Sequence, residues 1–231
     1  MFEGNARAPG AMGLRSSAQP LIQVEIERTE LTVPYVRELV LVVAAYALGS
    51  VVTGYYLVRL RTGQDIRLTG SGGAGSRNVA RSAGLAASAI TLVGDAAKGA
   101  LAAWAAVLFG LDTWAVLLVI VAVVAGHIWP PQLRFRGGRG LATAMGAVLV
   151  FDYMIVLIFY LAAGIILSLS RRATLSGMIA VVLTPPVAFL IGRNQTEIVG
   201  LSLLAAMILF AHREHIQAMI REARRPSSEG A

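Results

Sequence analysis

The chain contains no cysteine, which excludes disulfide bonds and thiolate metal sites. Charged side chains are scarce as well. They make up 14% of the 231 residues, where soluble domains carry about a quarter. With 56% of residues hydrophobic and a mean hydropathy of +0.69, an ordinary soluble enzyme is excluded. What remains is a polytopic membrane protein, long enough for one helical bundle. Lysine is nearly absent: Lys98 is the single example among 20 basic residues, and all the others are arginine.

A net charge of +7 and a pI near 10.5 would suggest a nucleic-acid partner for a soluble protein. Here the charge lies in short loops between apolar runs, with no basic patch interleaved with stacking aromatics, so nucleic acid is not a partner. Residues 1–36 lack the apolar core of a signal peptide. Their Gly, Ala, Pro and Ser content predicts a polar, poorly ordered tail.

Apolar runs fall at 38–60, 84–110, 113–129, 141–151, 153–170, 175–191 and 198–211. The segment 141–151 is short, and spans only if 137–140 begins its helix, or if it tilts or re-enters. Pro130 and Pro131 end the third run, and Pro185 with Pro186 predicts a kink in the sixth. Charge sets the orientation. One side holds Arg59, Arg61, Arg67, Arg77 and Arg81, then Arg134, Arg136 and Arg139, then Arg171 and Arg172, then Arg213, Arg221, Arg224 and Arg225. The other side holds Asp112, Asp152, the pair Arg193 and Glu197, and a tail with four arginines against five glutamates. A six-span count breaks this pattern. The expected fold is therefore an all-α membrane protein, a seven-transmembrane-helix bundle spanning 37–212, with the N-terminus out and the C-terminus cytoplasmic. Ile216, Met219, Ile220 and Ala223 recur at helical spacing within 213–231, which predicts an amphipathic helix on the inner membrane surface.

Three polar clusters interrupt the apolar runs, all on the arginine-rich side. The first is a glycine-rich turn with Gly70, Ser71, Gly72, Gly75, Asn78, Arg77 and Arg81. Backbone N–H groups freed by glycine, backed by a helix N-terminus, can cradle an anion. Arg77 and Arg81 are one helical turn apart and can face one site. The bland alternative is a loop whose arginines only obey the positive-inside rule. The second cluster runs from Gly126 and His127 through Gly137, Gly138, Arg139 and Gly140 to Thr143, again a glycine turn entering a helix. The third places His212 and His215 one turn apart. With His127 as the only further candidate and no carboxylate at hand, a metal site is not expected. A general base is the better use of a histidine near neutrality. Asp95 and Lys98 lie inside a span on one helix face, either as a structural ion pair or as support for a site.

At these residues the chain resembles the bacterial membrane-integral glycerol-3-phosphate acyltransferases that use acyl phosphate. The resemblance covers about 38–221. The family's Gly-Ser-Gly-Asn-Pro-Gly-Ala-Thr-Asn followed by Arg aligns on 70–81, and its Asp-x-x-Lys-Gly on Asp95, Lys98 and Gly99. Its Gly-His-x-x-Pro with Phe-x-Gly-Gly-Lys-Gly-x-Ala-Thr aligns on 126–143, and its His-Arg-Glu-Asn on 212–215. The chain departs from these motifs at Gly73, Ala74, Ser76, Arg77, Arg139 and His215.

The resemblance implies that the primary hydroxyl of glycerol 3-phosphate attacks a fatty acyl phosphate, giving lysophosphatidic acid and phosphate. It implies Ser71 and His212, with His215, as catalytic groups that orient or deprotonate the hydroxyl. Arg81 and Arg139 then hold phosphates together with Gly70, Gly72, Gly75, Asn78, His127, Gly137, Gly138, Gly140 and Thr143, while Asp95 and Lys98 support them. It further implies a location in the bacterial inner membrane, a site facing the cytoplasm, a separate soluble phosphate acyltransferase that supplies the donor, and a monomer. An activated donor needs no cofactor. The other common acyltransferase class carries His-x4-Asp, and the residues five after His127, His212 and His215 are Gln132, Gln217 and Ile220, so that class is excluded. Two other readings are a diverged paralogue with another acceptor or no catalysis, and a small anion transporter. Asp95 and Lys98 within a span would serve a transporter. But a transporter should carry internal repeats with broken helices at mid-membrane, whereas the two halves show no similarity and the three polar clusters sit at one surface.

Overall fold

The computed structural model of the protein describes residues 36–223. The expected 1–36 tail and the residues after Ala223 lie, apart from Val36, outside the described residues. The described residues hold α1 (36–50), α2 (Thr53–Thr62), α3 (Ser76–Leu108), α4 (Thr113–Ile128), α5 (Leu141–Phe151), α6 (Tyr153–Ser170), α7 (Ala173–Leu190), α8 (Gln195–Ala211) and α9 (Arg213–Ala223). No strand occurs among them.

Five segments are long and apolar enough to cross a membrane, or six if α8 and α9, bent by 62°, form one broken span. The 11 residues of α5 make a rod of about 16 Å, shorter than the roughly 30 Å hydrocarbon layer. Residues 137–140 do not extend it, because Gly140 is its N-cap at φ 81°. Asp152 ends α5 and caps α6, accepting from the N–H groups of Met154 and Ile155. α7 carries Pro185 and Pro186 inside one continuous helix. α3 begins at Ser76, eight residues before the apolar run does, and Gly84 interrupts it at φ 84° and ψ 173°.

The first span corrects the sequence reading, which took 38–60 as one uninterrupted helix. It breaks at Val51 and Val52. Backbone groups freed inside a membrane protein must find other partners, and here four of them find side chains from distant parts of the chain. Lys98 Nζ donates to the carbonyls of Gly49 at 3.0 Å and Val51 at 2.7 Å. Gln132 Nε2 donates to the Ser50 carbonyl at 2.6 Å. The Thr53 N–H donates to Asp95 Oδ1 at 3.3 Å.

Small residues bring α3 and α5 together, as in membrane interfaces generally. A Cβ on Gly99 would run into the Thr143 carbonyl, and one on Gly146 into that of Ala96. The buried core continues through α4, α6, α7 and α8 with Val119, Ile120, Val123, Phe159, Leu204 and Ile208. This packing sets the N-terminal ends of α3, α5 and α7 around one cavity.

Candidate active site

The cavity holds about 320 Å³. Its polar wall contains Ser71, Arg77, Asn78, Asp95, His127, Arg139 and His212, and its apolar wall Leu92, Met145, Phe159, Tyr160 and Met178. Ser76 of α3, Leu141 and Ala142 of α5, and Ala173 and Thr174 of α7 also line it. These are first-turn residues of their helices, whose N-caps Gly75, Gly140 and Arg172 make no side-chain capping bond. The first N–H groups of a helix have no partner within it. By contrast α4, α6 and α8 begin under the side chains of Asp112, Asp152 and Asn194, each accepting backbone N–H groups. Three uncapped helix N-termini, each carrying about half a positive charge, therefore face one space.

Two guanidinium groups face the same space. Arg77 donates from Nη1 to Thr174 Oγ1, joining α3 to α7. Arg139 is half-buried. Neither makes an ion pair with a carboxylate among the described residues. Burial lowers the pKa of Arg139 from its ordinary value, Glu214 opposes that, and Arg77 adds to it.

The first glycine turn is organised by Asn78. Its Nδ2 donates to the carbonyls of Ile66 at 3.1 Å, Thr69 at 2.9 Å and Gly73 at 2.9 Å. Its Oδ1 accepts from the Ser71 N–H at 3.1 Å. The amide is thus taken up by the loop and holds Ser71 at the cavity. Gly70 and Gly72 have φ of 57° and 70° and form the turn without lining the cavity. Gly75 does line it.

In the second turn the N–H groups of Gly137 and Gly138 donate to the carbonyls of Ile128 and His127, each at 3.0 Å. That folds the loop back over the end of α4, where a Cβ on Gly138 would run into His127 Nε2. Gly137 and Gly138 therefore place His127 and Arg139, and only Arg139 and Gly140 of this turn line the cavity. Thr143 lies buried at the α3–α5 contact, away from the cavity lining, and its hydroxyl has no hydrogen-bond partner.

Asp95 and Lys98 are 2% and 5% exposed and 2.9 Å apart. Lys98 Nζ also lies 2.8 Å from His127 Nδ1. An ammonium only donates, so Nδ1 accepts and Nε2 of His127 carries the ring hydrogen. Asp95 and His127 reach the cavity, while Lys98 sits behind them.

His212 is 7% exposed, and its Nδ1 lies 2.8 Å from the Ile208 carbonyl oxygen. A carbonyl can only accept, so Nδ1 donates and Nε2 is left with a lone pair. Burial pushes the His212 pKa down to about 4, the Ile208 carbonyl opposes this, and Arg139, His215 and Arg77 lower it further. His215 is only partly buried and does not line the cavity. Its pKa too is lowered, by burial and then by Arg139, Arg77 and Arg81. Arg81 is exposed and outside the lining, so of the arginine pair expected to share one site only Arg77 is in it. The sequence reading named Gly73 only as a departure within a glycine turn, and did not single out Thr174 or the apolar wall.

The sequence pattern of the family described as Glycerol-3-phosphate acyltransferase matches residues 39–222. A relative from Desulfitobacterium hafniense (strain Y51), Glycerol-3-phosphate acyltransferase 1, is 42% identical over 189 residues, covering 80% of this chain and 92% of the relative. The Glycerol-3-phosphate acyltransferase of Clostridioides difficile (strain 630) is 34% identical, over 81% of this chain and 94% of its own. The crystal structure of PlsY (YgiH), an integral membrane glycerol 3-phosphate acyltransferase, in its glycerol 3-phosphate form, superposes with a TM-score of 0.76 at 31% identity. It covers 82% of this chain and 94% of that one. The same protein in its lysophosphatidic acid form gives 0.73 at 29% identity. Both in sequence and in fold, the chain belongs to the glycerol-3-phosphate acyltransferase family of integral membrane enzymes.

Proposed function

We propose that the donor is a fatty acyl phosphate and that the products are lysophosphatidic acid and inorganic phosphate. The observation that carries this reading is the convergence of three uncapped helix N-termini and two arginines without carboxylate partners on one cavity. Such an array suits phosphate, and both substrates bring one. The apolar wall of Leu92, Met145, Phe159 and Met178 suits an acyl chain entering from the bilayer.

In the proposed step the glycerol hydroxyl oxygen bonds to the acyl carbonyl carbon. The bond from that carbon to the phosphate oxygen breaks. His212 Nε2 takes the hydroxyl proton and passes it to the departing phosphate, and Ser71 orients the hydroxyl. Arg139, Arg77 and the helix N–H groups stabilise the charge that develops on the oxygens. Arg81 and His215, outside the lining, act on the approaching anions as nearby positive and hydrogen-bonding groups.

The membrane arrangement that fits is seven spans, with α1 and α2 as one broken span and α5 a short one supported by its neighbours. The N-terminus is outside, and the cavity faces the cytoplasm at the bacterial inner membrane. The arginine-bearing loops on the cavity side support this orientation. A separate soluble enzyme supplies the donor, and one chain encloses the site.

The test follows phosphate release from palmitoyl phosphate. Release that starts on adding glycerol 3-phosphate and equals the lysophosphatidic acid formed supports the reading. Release without acceptor, or equally with glycerol, contradicts it.

A further inference from the structure

Gly73 and Arg139 belong to different loops and meet at the cavity. A Cβ built on Gly73 would lie 3.5 Å from Arg139 Nε, 3.8 Å from Nη2 and 3.9 Å from Cζ. The guanidinium therefore lies on the side of Gly73 where a Cβ would stand, with room for one methyl group between them. The peptide beneath it is fixed, because the Gly73 carbonyl accepts from Asn78 at 2.9 Å. A longer side chain at 73 that continues toward Arg139 pushes the guanidinium aside. The backbone at Gly73 does not itself require glycine, since its φ is not in the left-handed region. The limit on side-chain size comes from Arg139.

Both positions depart from the family motifs, with Gly in place of Asn and Arg in place of Lys. The structure brings these two departures into contact. A guanidinium is a broad planar fork, and an ammonium is a compact point charge on a thin stem. A lysine at 139 would leave unfilled the space over residue 73 that an asparagine could occupy. An arginine fills that space itself.

We propose that Gly73 and Arg139 form one size-matched pair, in which Gly73 is the positioning residue that lets the Arg139 guanidinium lie at the phosphate-binding wall. The proposal rests on the acyltransferase reading above. It makes the two departures a single exchange of shape, so that either one reversed alone is harmful and both reversed together are not. Residues in contact are where such non-additivity is expected.

The test measures kcat and both KM values for the full-length protein in lipid, with palmitoyl phosphate and glycerol 3-phosphate. Gly73→Asn displaces the guanidinium and raises the KM of a phosphate substrate about tenfold. Arg139→Lys opens a void and lowers kcat/KM about tenfold. The double variant returns to within about threefold of the parent. Gly73→Ala, whose added atom makes an ordinary contact, stays within about twofold. A double variant near the product of the two single losses, about a hundredfold, overturns the pair. So does a Gly73→Asn variant with unchanged KM. If Gly73→Asn fails to fold, as judged by thermal unfolding, Gly73→Ser replaces it in the same cycle, with the same criterion. A parent enzyme without turnover in these assays defeats the acyltransferase reading instead, so the two failures are distinguishable.

Discussion

The Nδ1–H of His212 donates to the Ile208 carbonyl across 2.8 Å, one turn back along α8, and this single bond fixes the tautomer that leaves Nε2 free at the cavity. His212→Ala removes the imidazole whose free nitrogen lies at the cavity. The expected loss is at least tenfold in kcat, with the KM for glycerol 3-phosphate little changed and the protein still folded. Steady-state kinetics at saturating donor check it.

The same histidine sets the pH response. With its pKa lowered to about 4, His212 stays neutral from about pH 8 to about pH 5, and kcat is flat over that range. It falls only as pH approaches the folded value and the ring takes a proton. Arg77, Arg139 and His215 are the charged and titratable neighbours that disfavour the protonated ring. Arg77→Ala removes one of them and moves the acid limb to higher pH. A profile of kcat against pH for both proteins reads this.

Arg77 is joined to Thr174 across the cavity mouth. Arg77→Ala raises the KM of a phosphate-bearing substrate about tenfold. Thr174→Val keeps the charge and loosens its placement, so its effect is smaller and in the same direction. Measuring KM for each substrate in turn settles which phosphate Arg77 holds.

Lys98 holds the break in the first span. Lys98→Met leaves the carbonyls of Gly49 and Val51 and the carboxylate of Asp95 without that partner. Leaving a buried charge unpaired costs about 3–5 kcal/mol, so a marked fall in thermal midpoint in detergent is expected. An unchanged midpoint means the break is held by other contacts.

The helical, membrane-spanning character was legible because apolar runs and prolines leave local signals. The ends of α6 coincide with its apolar run at 153–170. The glycine–arginine turns were legible too, and they do meet at one cavity through Ser71, Arg139 and Gly140. The break at Val51 and Val52 was hidden because the residues that satisfy it, Lys98, Asp95 and Gln132, are distant in sequence. For the same reason Asp95 and Lys98 could be read either as an ion pair or as support for a site; the structure shows the ion pair, with Asp95 at the cavity lining. Arg77 and Arg81 looked equivalent on helical spacing alone. The structure separates them: Arg77 bonds Thr174 in the first turn of α7, and Arg81 is exposed. The apolar wall gave no signal, since Phe159 and Met178 sit among other apolar residues of α6 and α7.

The most direct measurement supplies the purified protein with glycerol 3-phosphate and, in parallel, palmitoyl phosphate, palmitoyl-CoA or palmitoyl acyl carrier protein. Lysophosphatidic acid from palmitoyl phosphate alone is the result that the acyl-phosphate reading predicts. Equal product from palmitoyl-CoA, or none from palmitoyl phosphate with folded protein, would contradict that account.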